Sequence, residues 1–116
     1  YYYKALRLRV MLRDQVLGAL NSVELLLSPS TGITAQLLAP DPVIDSKAAS
    51  SRTPWLLATT FSLANVPALN VPCGFTASGL PIGLQIAGRP FDESMVFRAG
   101  HKYEQGTEWH TRKPSI

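Results

Sequence analysis

The sequence predicts an α/β fold, and three observations carry that expectation. A long helical pattern at the start leads into a short, nearly continuous apolar run at 23–27 (Val-Glu-Leu-Leu-Leu), as in strands buried on both faces. Residues 65–90 hold two β-type runs around a Gly/Ser/Pro-rich reversal, the pattern of two strands joined by a hairpin. Helical patterns flank that hairpin, one opening at Thr53 and one at Asp92, so helices can layer on a sheet.

Taken in order, residues 1–21 read as a helix with two apolar rows, Leu8-Leu12-Val16 and Leu6-Val10-Leu17. Arg9 and Arg13 run between them at a spacing of four. Either they snorkel past the apolar rows into solvent, or they make a buried pairing with a carboxylate elsewhere in a larger parent protein. Gly18 and Asn21 mark the fraying end, and Ser28-Pro29-Ser30-Thr31-Gly32 stops the strand at 23–27. Residues 31–53 show no sustained period and read as a long loop.

Thr53 and Pro54 suit the N-cap and first position of a helix running to Ala64, with Leu57, Phe61 and Ala64 on its apolar face. Asn65 is expected to end it in the left-handed region. The strands are expected at 68–71 and 82–87, around a reversal centred on Ala77-Ser78-Gly79 in which Gly79 takes a positive φ. Asp92 is the expected N-cap of the last helix, whose inner face carries Val96, Phe97, Gly100 and Tyr103, and Gly106 is its expected C-cap. The remaining tail has Trp109 as its apolar anchor.

Composition narrows the class. A 46% hydrophobic and 16% charged chain is globular, neither disordered nor carrying a long apolar membrane span. The net charge of +3 comes without a dense basic patch interleaved with aromatics, which argues against nucleic acid as a partner. Cys73 is the single cysteine; it excludes an internal disulfide framework and fits a reducing, cytoplasmic setting.

Pro67-Ala68-Leu69, Val71-Pro72-Cys73-Gly74, Gly79-Leu80-Pro81-Ile82-Gly83-Leu84-Gln85-Ile86-Ala87-Gly88 and Phe91-Asp92-Glu93 occur in that order. Together with Leu26-Leu27-Ser28-Pro29-Ser30 upstream and Tyr103-Glu104-Gln105 and Trp109-His110 downstream, they resemble the C-terminal part of the amidase signature family. The resemblance implies an α/β/α sandwich with a mixed central sheet, of which residues 1–116 would be a C-terminal fragment of a single domain. The opening Tyr1-Tyr2-Tyr3-Lys4, already helical in pattern, fits that expectation. In the family the region matching 31–53 varies and helps to shape the substrate entrance.

Members of that family cleave amide C–N bonds with a serine nucleophile, a second serine on a cis peptide bond and a lysine, with backbone N–H groups holding the oxyanion. Those residues lie upstream of the motifs present here, in a lysine segment and a Gly/Ser-rich segment. Lys4, Lys47, Lys102 and Lys113 stand in no such setting, and Ser50 and Ser51 lack the glycines a reactive serine needs. No catalytic residue is therefore assigned within the chain, and the chain alone is expected to be inactive. Cys73 reads as a small apolar group rather than a nucleophile paired with His101 or His110. The histidines have no third ligand at metal spacing, so neither a metal nor any other cofactor is expected. Ser78 reads as a turn residue.

The resemblance implies a segment that scaffolds the pocket of an enzyme acting on a small-molecule amide, with a homo-oligomer possible. An alternative within the family is the A subunit of a glutamyl-tRNA amidotransferase, which releases ammonia from glutamine inside a tRNA-binding complex. A further alternative is a stand-alone, non-enzymatic α/β module. In the A subunits the helix before the Gly-Leu-Pro turn resembles Asp-x-x-Thr-x-Pro-x-Asn-Leu-Ala-Gly-Leu-Pro. Its aspartate binds the substrate's α-ammonium. Registered on Leu63-Ala64-Asn65-Val66-Pro67, that pattern puts Trp55 in place of the aspartate, Ala58 for the threonine and Thr60 for the proline. Trp55 is thus the candidate substrate-binding residue, and an indole there would favour aromatic or aliphatic acyl groups.

Overall fold

The computed structural model describes residues 1–35 and 56–113. Within them the elements run α1 (Tyr2–Ser22), β1 (Leu26–Pro29), α2 (Leu56–Ala64), β2 (Ala68–Phe75), β3 (Pro81–Ala87), α3 (Glu93–Gln105) and a single 3₁₀ turn, Trp109–Thr111. The described strands form a sheet of order β1-β3-β2 in which both pairings are antiparallel. The α/β expectation holds.

Proline placement explains the strand order. Proline has no N–H to donate to a ladder, and the two outer strands carry it, as Pro29 at the end of β1 and Pro72 within β2. The central strand carries one only at its first residue, Pro81. β2 runs beyond the expected 68–71 because a bulge lets it continue. Pro72 pairs with Gly83 and Gly74 with Ile82, leaving Cys73 as the extra residue. The reversal closes with Thr76 N donating to Leu80 O at 2.9 Å and Gly79 N to Thr76 O at 2.9 Å, and Gly79 takes φ 81° as expected.

β1 corrects the sequence reading. The strand lies at Leu26–Pro29 rather than 23–27, and its residues alternate between half-buried and exposed, Leu27 remaining 64% exposed. It pairs on one side only, with β3, so its apolar run reflects one covered face among the described residues.

The sheet separates two apolar clusters. On one face Val16 and Leu20 of α1 meet Phe61 and Ala64 of α2, with Val66 and Ala87. On the other, Val71 and Ile86 pack on Val96 of α3, flanked by Leu69, Leu84 and Tyr103. Burying Leu20 (1% exposed) and Phe61 (5%) contributes about 1.5–3 kcal/mol each. Of the predicted α1 rows, the Leu12-Val16 end and Leu17 pack, whereas Leu6, Leu8 and Val10 stay exposed. The cause is length: 21 residues span roughly 30 Å, far more than the nine-residue α2 they cross.

Phe97 is a second correction, pointing outward at 63% exposure while Val96 and Gly100 are buried. Gly100 lets Leu69 pack close, since a Cβ there would force Leu69 Cδ2 to move. Asp92 caps α3 as expected, accepting from Met95 N at 3.3 Å. Gly106 closes it at φ −96°, so its N–H reaches Tyr103 O without the left-handed conformation that favours glycine.

Candidate functional site

The strand register builds a polar row on the sheet face shared with α1 and α2. Ala87 of β3 lies beneath those helices, flanked by Leu26 of β1 and Ala68 of β2. Two residues along, Gln85 is flanked by Ser28 and Asn70 on the same face. Gly83 follows, and over it Ser30 Oγ donates to Asn70 Oδ1. A Cβ at position 83 would stand 2.5 Å from Ser30 Oγ and 3.0 Å from Asn70 Oδ1, so a larger residue there would displace the pair.

Beyond Gly83 the row opens into a shallow groove of about 240 Å³, lined by residues 31–34 and 81–83. Thr31 shapes its wall through a 2.6 Å bond from its hydroxyl to Ile33 O. Every side chain of the row is neutral. With Oδ1 engaged, the Asn70 amide still has its Nδ2 protons to donate. Gln85 Oε1 is buried and has no hydrogen-bond partner among the described residues, an arrangement that costs about 1–3 kcal/mol until a donor meets it. Such a floor can orient an uncharged polar group, but it cannot activate a nucleophile.

The nucleophile candidates remain apart from the row. Cys73 is half-buried at the bulge, His101 is exposed on α3 and His110 exposed on the 3₁₀ turn. Ser78 lies at the hairpin tip, 2.8 Å from Thr76 Oγ1. No group of three His, Cys, Asp or Glu residues among the described residues could hold a metal ion. No described helix is long and apolar enough to cross a membrane. Trp55, Lys47, Ser50, Ser51 and the Thr53-Pro54 start of the second helix lie outside the described residues.

Two arginines fix the elements around the row. Asn65 takes φ 54°, as the sequence predicts. Val66 N bonds Phe61 O at 3.2 Å and Asn65 N bonds Ser62 O at 3.3 Å, a Schellman closure with Phe61 and Val66 buried together. Leu63 O is left over, and Arg9 of α1 takes it at 3.0 Å through Nε, while Nη2 holds Asn65 Oδ1 at 2.7 Å. Arg9 stays exposed, as the solvated reading expects, and adds two uncharged acceptors that lie more than fifty residues away, beyond the reach of spacing arguments. Arg89 does the same for α1. Its Nε reaches Leu20 O at 3.0 Å and its Nη2 reaches Val23 O at 3.4 Å, where the extended Val23 offers no Schellman closure. Sequence reading missed Arg89 as well; its only signal is its place between Gly88 and Pro90 at the end of β3.

Comparison with known proteins bears on these features. The amidase family model matches residues 1–97. The A subunit of glutamyl-tRNA(Gln) amidotransferase from Methanosarcina barkeri is 42% identical over 119 aligned positions, covering 98% of this chain and 23% of the relative. The protein of the same name from Microcystis aeruginosa is 39% identical and is matched over 100% of this chain and 23% of its own length. A crystal structure of the glutamyl-tRNA(Gln) amidotransferase A subunit from Thermotoga maritima superposes with a TM-score of 0.65 at 31% identity, over 84% of this chain and 21% of that one. The chain thus spans about a quarter of the length of these relatives.

Proposed function

The chain belongs to the amidase family, and from that premise we propose that it forms the C-terminal wall of an amide-cleaving enzyme of the amidotransferase A-subunit type. The neutral row Ser28–Gln85–Asn70 carries this reading. Through the Nδ2 protons of exposed Asn70 it offers hydrogen bonds to a bound amide, and it supplies neither nucleophile nor base; the family resemblance puts the reacting serine and lysine in residues preceding these motifs. In this arrangement the row orients substrate beside machinery that this segment does not contain. Ammonia is then released from glutamine and passed on within an assembly of several subunits. The choice of the A-subunit type rests on the relatives, which carry that name at 39–42% identity. The test replaces the matching quarter of the M. barkeri protein with this chain, inside the complete M. barkeri complex, and follows ammonia release from glutamine. Retained release supports the reading; a soluble, assembled complex without it counts against it.

A second reading, a hydrolase of small hydrophobic amides, is favoured by one sequence observation. Trp55 stands where the A-subunit pattern has the aspartate that binds an α-ammonium group. An indole offers no carboxylate and fills that space with flat apolar area. In the same chimera this reading predicts preference for a hydrophobic amide over glutamine, weakened by Trp55→Ala. A preference for glutamine that the substitution leaves unchanged would remove it.

A further inference from the structure

At the hairpin end of the sheet a groove of about 720 Å³ lies between the reversal and the Trp109 turn. Phe75 and Trp109 meet across it with ring centroids 6.2 Å apart and planes at 52°. The guanidinium carbon of Arg112 stands 5.3 Å from each centroid. Held over two rings, the guanidinium keeps its N–H edge for another acceptor. Lys113 and His110 share the rim, none of the described lining residues is acidic, and Glu108 lines the adjoining hollow, which shares Trp109 and Arg112. The hairpin tip adds a hydroxyl donor. Thr76 Oγ1 accepts from Leu80 N at 3.0 Å and lies 2.8 Å from Ser78 Oγ. These two hydroxyls carry two protons and share one bond, so one proton remains to donate.

We propose that this groove binds an extended acidic segment of a partner protein, with a carboxylate on Arg112 and Lys113 and an apolar side chain against Pro72 and Pro81. Charge complementarity selects an anion, and two further features select the kind. Arg112 already covers the faces of Phe75 and Trp109, so those faces are not a free platform for nucleobases. A small inorganic anion would leave the apolar rim uncovered. This surface and its ligand go beyond the amide-cleaving reading and stand apart from which amide is cleaved.

The experiment uses the full chain and fluorescence anisotropy of a labelled oligoglutamate peptide containing one leucine. An oligoglutamine peptide of the same length, inorganic phosphate and oligouridylate complete the set. The expected result is binding of the glutamate peptide alone, weakening as salt rises. Arg112→Gln, on an exposed side chain, should weaken it about tenfold. Arg112→Glu with Lys113→Glu should transfer preference to an oligolysine peptide, with circular dichroism unchanged. Absence of binding, binding unmoved by Arg112→Gln in a folded chain, or tighter binding of phosphate or oligouridylate would overturn the proposal.

Discussion

Arg9 and Asn65 are joined by a 2.7 Å hydrogen bond that ties the middle of α1 to the left-handed residue ending α2. Because the same guanidinium also takes Leu63 O, it both caps one helix and sets its crossing with another. Arg9→Ala is expected to lower stability by about 1 kcal/mol, the usual worth of an exposed charge-assisted bond. Asn65→Ala should cost more, since alanine must also hold φ 54°. Urea melts of the two single variants and the double variant should show coupling. Strict additivity would mean that the bond does not hold in solution.

Gly83→Ala places a methyl group against Ser30 and Asn70 and should destabilise the chain by about 1–3 kcal/mol. Gly79→Ala, with open space around it, should lose less and only through its φ of 81°. Thermal unfolding of both variants ranks them, and equal losses would remove the close approach at Gly83.

Phe91 holds φ 64° with its ring 96% exposed, so the backbone is strained with no burial to offset it. Phe91→Gly should therefore raise stability, by up to about 1 kcal/mol. A clear loss in a urea melt would show that the ring is buried in solution, against a second copy.

The uncovered half of α1 has its own consequence. Leu8, Val10 and Met11 are each more than half exposed, beside Tyr2 and Tyr3. Sedimentation of the chain alone should show mass rising with concentration, and Leu8→Lys with Met11→Lys should suppress the rise. A monomer at every concentration would contradict this.

Legibility followed the range of the interactions. The Asp92 cap, the Gly79 reversal and the turn at Asn65 depend on neighbours within a few residues, so the sequence reading located them. Strand β1 starts three residues and ends two residues later than its apolar run, because such a run does not say which positions find a partner; pairing with β3 decides that. The Cys73 bulge, which carries β2 on to Phe75, likewise depends on its partner strand. The polar row was invisible as a site. Ser28, Asn70 and Gln85 are unremarkable singly and become neighbours only through the register of three strands. Arg9 was noticed for its spacing, yet its acceptors were out of reach of any periodicity.

The proposed role of residues 1–116 is to supply a wall of the site and none of its reacting groups. It is tested most directly by mapping a serine-directed covalent probe, by mass spectrometry, on the chain alone and on the M. barkeri chimera. No labelled serine is expected in the chain alone, and in the chimera a single label within the M. barkeri portion. Stoichiometric label on any serine of residues 1–116, accompanied by turnover of an amide, would contradict it.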